Sequence, residues 1–539
     1  MRTPIEVLGL YPEHDGTLRG ILASRARRDP QRPFLLFREA TWSWGSFEEA
    51  VQQAAQMLTG WGLGKSAKLA VVAPNSDAYV LLFFALARIG AILVPVNPEL
   101  GITEAGYILQ HAEVDAVACT ATTLSVARQA CQGMEKPPRF LLIEGSSEGV
   151  PTLQDLVEST PPGSLPGEVG PEDVCLILYT SGTTGFPKGV MHSQRNFVLA
   201  GEGFVERMYL QPEDRLLCIL PLFHINALFY SLGGTLAAGA SLVLAPRFSA
   251  SGFWPLAASS GATEVNILAA VGSILARRPR SEYVPGHRLR KVYGAPITPE
   301  AAEAFRNEFG VATLIEGYGM TEIPGACNNP FQGPQKMGSM GRPALHPDHG
   351  IRFAELRVAD EQGRDVPEGE VGELLARTPI LMKGYYRDPE QTAAAFREGW
   401  FKTGDLVRRD GDGFYYFVAR KKDIIRRRGE NIAGAELDRV IGLHPGVAEV
   451  AAIAVPAELG EDEILVAVVA KPGAALTAGD IARWCAERLA PAKVPRYVAF
   501  VDSLPHTPTH RVAKFPLKND PTLLARAVDL QKPERAPAA

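Results

Sequence analysis

The stretch VCLILYTSGTTGFPKGV, residues 174–190, decides how the chain is read. Residues 174–179 form a short, unbroken apolar run, as expected of a strand buried on both faces. The run stops at Thr180. Thr180, Ser181, Thr183 and Thr184 then supply hydroxyls, Gly182, Gly185 and Gly189 supply backbone freedom, and Lys188 supplies a positive charge. A loop of N–H groups, hydroxyls and one ammonium at the end of a buried strand suits a polyphosphate. It is not a Walker loop, because it holds no Gly-Lys-Ser/Thr.

Outward from this loop the same pattern repeats. Residues 69–74, 216–221, 241–246, 290–296 and 311–317 are Val-, Ile- and Leu-rich runs, each closed by Pro, Gly or polar residues. They predict strands of mainly parallel α/β sheets, with ligand loops gathered at their C-terminal ends. The longest apolar stretch, residues 78–96, is split by Arg88 and Gly90. It reads as a buried helix over 76–89 followed by a strand over 91–94, not as a membrane span. Composition changes near residue 420, where six basic residues fall within 418–431. Beyond it, a helix over 435–441, strands over 447–455 and 464–470, a helix over 477–489 and a strand-like stretch over 497–504 predict a compact α+β unit. The expected architecture is α/β: a large N-terminal domain, 1–419, a smaller C-terminal domain, 420–525, and a disordered tail, 526–539.

Length and composition agree with this division. A chain of 539 residues exceeds one ordinary core, and 46% hydrophobic with 21% charged residues is a globular mix. A net charge of −5 argues against a dedicated nucleic-acid binder. Six scattered cysteines make no CxxC pair, so neither a structural zinc site nor a disulfide framework is expected, and a reducing cytoplasm is the simplest location. The N-terminus lacks the layout of a signal peptide. For oligomeric state a homodimer is only the common default.

YTSGTTGFPKGV, residues 179–190, resembles the phosphate-loop signature of the adenylate-forming superfamily, which includes acyl-CoA synthetases, amino-acid-activating domains and luciferases. The resemblance runs from about residue 16 to 520, with motifs in the same order. It implies an ATP-dependent reaction in two steps. A carboxylate attacks the α-phosphorus of ATP to give acyl-AMP and pyrophosphate; after the small domain rotates, the CoA thiol displaces AMP. YGMTE, residues 318–322, then implies Tyr318 beside adenine with Gly317 and Gly319, Thr321 at the α-phosphate, and Glu322 with Thr184 at Mg2+. A carboxylate suits that hard cation. YGAP, residues 293–296, implies Gly294, Ala295 and Pro296 lining the nucleotide site. In WFKTGD, residues 400–405, Asp405 takes the ribose hydroxyls, and Arg420 makes a second nucleotide contact. In PLFHINA, residues 221–227, His224 gates the acyl pocket. That pocket is further lined by Ala269, Ala270, Gly319 and Gly325, with Gly272 and Ala326 also small, which leaves room for a bulky acid. Lys422 falls at the hinge and Gly429 at the pantetheine channel. CoA is the expected acceptor, with a separate carrier protein as runner-up.

The pattern departs at one place. The superfamily ends its small domain with Thr/Ser-Gly-Lys, whose lysine bridges carboxylate and α-phosphate. Here LPHTPT, residues 504–509, aligns, but His510 and Arg511 follow, so Arg511 stands at the lysine position. Arginine carries a planar fork where lysine carries a compact ammonium. Lys514 lies three residues on, about 10 Å along an extended segment. Three functions remain open: a CoA ligase whose adenylation step is lost or weak, served by a separate adenylating enzyme; an ordinary two-step acyl-CoA synthetase; and a non-catalytic acyl-adenylate-binding protein. The first is preferred, because the residue for step one departs while those for nucleotide and CoA stay.

Overall fold

The computed structural model describes residues 1–161, 163–165, 167–180, 187–427, 430–456, 462–506 and 512–531. These pack as two compact units. The first holds residues 1–180, Pro187–Leu356 and Ala376–Trp400; the second holds Arg357–Leu375 and the described residues from Phe401 on.

The first unit is built on two large sheets. One has seven strands, in the order Gly384–Tyr385, Lys188–Ser193, Val174–Thr180, Ile92–Val96, Lys68–Val72, Ala116–Thr120 and Arg139–Glu144. Its last five strands are parallel, and Val174–Thr180 turns back antiparallel onto Lys188–Ser193. The other has nine strands. Its centre, Thr313–Met320, Lys291–Gly294, Glu264–Ile267, Arg215–Cys218, Ser241–Leu244 and Pro33–Phe37, is parallel, and an antiparallel hairpin closes each edge. Every expected strand of this unit is present, within a few residues of its predicted ends. They form because runs such as Ala116–Thr120 and Glu264–Ile267 are buried at every position, which suits parallel strands covered on both faces.

The stretch over 78–96 shows how local signals separate helix from strand. Ser76 caps the helix Asp77–Arg88, its hydroxyl accepting from the Tyr79 N–H. Gly90, at φ +70°, then turns the chain into the strand Ile92–Val96. No helix of the described residues is long and apolar enough to cross a membrane.

In the second unit, Trp400–Arg409 pairs antiparallel with Tyr415–Arg420. Farther on, Val447–Pro456, Asp462–Ala470, Tyr497–Phe500 and Val528–Asp529 form a four-stranded sheet. The helices Gly434–Gly442 and Ala478–Ala486 bury Leu437, Ile441, Ile481 and Cys485 in the core that this sheet shares. Two expectations need correction. The strand over 497–504 stops at Phe500. Residues 526–531, expected in the disordered tail, are ordered: Val528–Asp529 joins the sheet edge, and the Asp529 carboxylate accepts twice from the Arg496 guanidinium at 3.1 Å. That bidentate pair was invisible because its halves lie 33 residues apart.

The same unit settles where Lys514 goes. Its Nζ lies 2.5 Å from Asp438 Oδ2, and Asp438 Oδ1 accepts from the Ala452 N–H at 2.6 Å. Burial raises the Asp438 carboxyl and Lys514 opposes the rise. The ammonium is thus held inside the small unit as a partner for a mostly buried acid. Lys514→Ala is expected to cost about 2–3 kcal/mol in urea unfolding, because Asp438 is left without its cation. A loss below about 0.5 kcal/mol would place the pair among solvated surface bridges instead.

Candidate active site

The hairpin of Thr313–Met320 and Ile323–Asn328 carries Thr321 and Glu322 on its turn, with Met320 opposite Ile323. Three glycines let its neighbours approach closely. A Cβ on Gly317 would stand 2.4 Å from the Tyr293 hydroxyl, one on Gly319 2.5 Å from the Tyr230 hydroxyl, and one on Gly325 2.1 Å from an Arg207 guanidinium nitrogen.

Two side chains fix the turn itself. His192, fully buried on the strand Lys188–Ser193, lies with Nε2 2.7 Å from the Thr321 carbonyl oxygen. A carbonyl only accepts, so Nε2 carries the proton and donates. Burial pulls this imidazole down to about 4, so it is neutral at ordinary pH. Glu322, also buried, accepts at Oε1 from the Tyr385 hydroxyl at 2.9 Å, and its carbonyl accepts from the Met382 N–H at 2.9 Å. Burial first, then the Glu322 charge, hold the Tyr385 phenol well above its ordinary range, so it stays a donor.

Tyr385 also reaches the phosphate loop. Gly384–Tyr385 adds to the edge of Lys188–Ser193, with Tyr385 opposite Val190. The Lys188 ammonium sits 5.1 Å from the Tyr385 ring centroid and contacts Gln391 Oε1. Thr180 is paired with Lys188 at the base of the loop. The first unit therefore brings together Thr180, Lys188, Thr321 and Glu322, with Tyr385 between ammonium and carboxylate.

Gly294, Ala295 and Pro296 follow the strand Lys291–Gly294 at its C-terminal end. Glu316, buried on the neighbouring strand, accepts from the Ile297 N–H at 3.1 Å and the Gly338 N–H at 2.6 Å. It pins the segment that leaves Pro296. Tyr318 is half-buried near the end of the Thr313–Met320 strand.

On the expected acyl side, the half-buried His224 ring lies 4.6 Å from that of Phe223, just before the π-helix Asn226–Leu232. Ala269 and Ala270 open the helix Ala269–Arg277 and are half-buried. Gly319 and Gly325 face no empty room: the space of their missing side chains is filled by Tyr230 and Arg207.

In the second unit, Asp405 is buried opposite Arg420, with Arg420 Nε 3.5 Å from Asp405 Oδ1. Its loop is tied down locally. The Asp405 N–H donates to Thr403 Oγ1 at 3.1 Å, the Thr403 hydroxyl donates to the Leu374 carbonyl at 2.8 Å, and Glu373 accepts from the Gly404 N–H and from Lys421 Nζ. Ser181, Gly182, Thr183, Thr184, Gly429, His510 and Arg511 lie outside the described residues, as does the Lys422 side chain.

The Mg2+ ion implied by the resemblance fits Glu322: a carboxylate is hydrogen-bonded into place within the cluster that includes Lys188. No group of three or more His, Cys, Asp or Glu among the described residues could hold a metal unaided. Such an ion would be shared with nucleotide phosphates, the usual mode for Mg2+.

The model of the AMP-binding enzyme family matches residues 22–386, and that of the AMP-binding enzyme C-terminal domain matches residues 436–511. The chain belongs to the AMP-binding enzymes of the adenylate-forming superfamily. A sulfoacetate–CoA ligase of Cupriavidus necator is 33% identical over 516 residues, covering 94% of this chain and 98% of that protein. Among solved structures, ATP-bound MatB from Rhodopseudomonas palustris superposes on this AMP-binding enzyme with a TM-score of 0.83 at 27% identity, covering 94% of this chain and 98% of that one. The anthranilate CoA ligase AuaEII in complex with anthranoyl-AMP gives 0.84 at 25%, covering 96% and 99%. Against this family background, Tyr385, His192, Glu316, Glu373 and Arg207 are the residues sequence reasoning passed over.

Two outcomes are expected. Tyr385→Phe removes a hydrogen bond to a carboxylate, an interaction of about 1.5–3 kcal/mol. Mg2+-ATP affinity by titration calorimetry should fall at least about tenfold; an unchanged affinity would assign the bond to stability alone. His192 has a folded-state pKa of about 4 against an ordinary 6.5, so the unfolded chain takes up its proton first as pH falls. Its contribution is fully present above pH 6.5 and is lost towards pH 4, by up to about 3 kcal/mol. Denaturant midpoints at pH 7 and 4.5 should therefore differ less for His192→Asn than for the wild type.

Proposed function

We propose that the protein is an acyl-CoA ligase that joins an acyl group to CoA through an acyl-adenylate, with a weak or absent adenylation step of its own. The family and its CoA-ligase relatives support the ligase chemistry. The finer point rests on one observation: His510 and Arg511 stand where Gly-Lys is expected, and the single lysine of residues 504–514, Lys514, is paired with Asp438.

In adenylation the acid's carboxylate oxygen bonds to the α-phosphorus and pyrophosphate leaves. Two anions must meet, so fixed cations and donors matter most. Lys188 and the 180–188 loop hold phosphate, Thr321 orients the α-phosphate, and Glu322, kept in place by Tyr385, supplies the carboxylate for Mg2+. That ion, when bound, offsets phosphate charge. In thioester formation the CoA sulfur bonds to the acyl carbon, the thiol proton is lost, and AMP leaves. This step starts from an activated carbonyl and needs orientation more than a cation at Arg511. Asp405 and Arg420 act on the ribose in both steps, Lys422 serves as the hinge, and Gly429 lines the CoA channel.

The acid's size is revised. Bulk was expected from small linings, but Tyr230 and Arg207 occupy the space beside Gly319 and Gly325, which favours a compact acid. Relatives do not fix this by themselves, since one is named for sulfoacetate and another for anthranilate. An ordinary two-step synthetase is the second reading, favoured by the intact Lys188, Thr321 and Glu322 cluster.

The test separates the halves. ATP, acid and labelled pyrophosphate should give little exchange, synthetic acyl-AMP plus CoA should give thioester, and Arg511→Lys should raise exchange. Robust exchange by the unaltered protein would establish the two-step enzyme. Absence of thioester from any acyl-AMP would make it a binding protein.

A further inference from the structure

Arg207 lies on the helix Gln194–Met208 and is 1% exposed. Its guanidinium carbon sits 5.6, 5.0 and 5.4 Å from the ring centroids of Phe204, Tyr230 and Tyr293. Nε donates to Asn328 Oδ1 at 3.3 Å, while both terminal nitrogens are buried with no well-aligned hydrogen bond, their nearest acceptors being the neutral Tyr230 and Tyr293 hydroxyls. No carboxylate among the described residues forms an ion pair with it. Other deeply buried cations here are satisfied: Lys291 has Asp214, and Arg25 donates to the Leu236 and Ala237 carbonyls. Three aromatic faces offset part of the desolvation of a cation, but they accept no in-plane N–H bonds. A buried, planar, bidentate donor set with only neutral acceptors beside it is a site short of an anion.

Its position says which anion. Arg207 abuts Gly325, and Tyr230 abuts Gly319, both on the hairpin whose turn bears Thr321 and Glu322. Gly325 is three residues past Glu322, about 10 Å along a strand. We propose that Arg207 anchors an anionic group at the far end of the acyl substrate, so that the preferred acid is a short carboxylic acid bearing a second carboxylate or a sulfonate. This rests on the ligase reading of the same site. Gly325 fits the role, since a side chain there would displace the guanidinium, and its φ of +102° already requires glycine.

The test uses full-length protein and a matched panel: succinate, glutarate and sulfoacetate against butyrate and monomethyl glutarate. Binding is measured by calorimetry, and CoA thioester is measured from each acid with ATP or from its synthetic adenylate. The wild type should favour doubly anionic acids over their neutral-tailed counterparts by about 100-fold, and the split between carboxylate and sulfonate arms names the tail. Arg207→Met should lose about 100-fold on the doubly anionic acids and change less than about threefold on butyrate. Arg207→Lys, which keeps the charge without the fork, should fall between. Equal losses on every acid, or a wild-type preference for neutral tails, would overturn the anchor. The wild-type comparison of glutarate with its monomethyl ester stands even if Arg207→Met does not fold. Thioesters from butyrate but neither binding nor turnover of the diacids would sink the anchor and leave the ligase. Diacid binding lost in the variant, with no thioester from any acid, would do the reverse.

Discussion

Three glycines with no room for a Cβ atom hold the centre of the first unit together. Gly317, Gly319 and Gly325 let one hairpin lie directly against Tyr293, Tyr230 and Arg207. A methyl group at any of them would meet a neighbour at 2.5 Å or less, far inside contact distance, so the hairpin would have to move. Its turn carries Thr321 and Glu322, and a shift of about 1 Å at such a turn is enough to degrade a reacting geometry. His192 from one strand and Tyr385 from another clamp that turn from the seven-stranded sheet, while the strands of the hairpin belong to the nine-stranded one. The two sheets are thus tied to each other at the residues expected to handle phosphate.

The charges around that turn are arranged economically. His192 could have been a second cation, but complete burial keeps it neutral, so it positions a carbonyl without drawing the Glu322 carboxylate towards itself. Tyr385 binds Glu322 as a neutral donor and offers its ring face to Lys188. One phenol thus touches both an acid and a base.

Much of this was legible in the sequence, and the divide has a physical cause. Strands such as Ala116–Thr120 announce themselves, because burial on both faces demands a continuous apolar run. The phosphate loop does so through its density of Gly, Ser and Thr. Tyr385 does not, since its partner Glu322 is 63 residues away and an aromatic residue on an edge strand reads as packing. Arg207 drew no notice in the sequence, and only the tertiary structure shows three rings closing over it. Small residues misled in the opposite direction: Gly319 and Gly325 suggested space, yet a glycine marks close approach as readily as a void. Sequence shows which side chain is missing and not what has moved into its place.

The same distinction governs the segment after residue 504. A lysine nearby in sequence looks like a substitute for the one replaced by Arg511, but proximity along the chain is not availability. Lys514 is neutralising Asp438, whose carboxylate also accepts from the Ala452 N–H, so withdrawing it would strand an acid that is mostly buried. The cost of that withdrawal would fall on the small unit's own core, where Asp438 ties the helix Gly434–Gly442 to the strand Val447–Pro456. A device that moves a cation into an active site cannot also be the counter-ion of a structural acid at no cost to the fold. On the proposed reading, the cation for joining carboxylate to phosphate would have to come from Arg511, and an arginine's planar fork suits two fixed oxygens better than two that are closing on one another. Thioester formation makes no such demand, because its carbonyl is already activated.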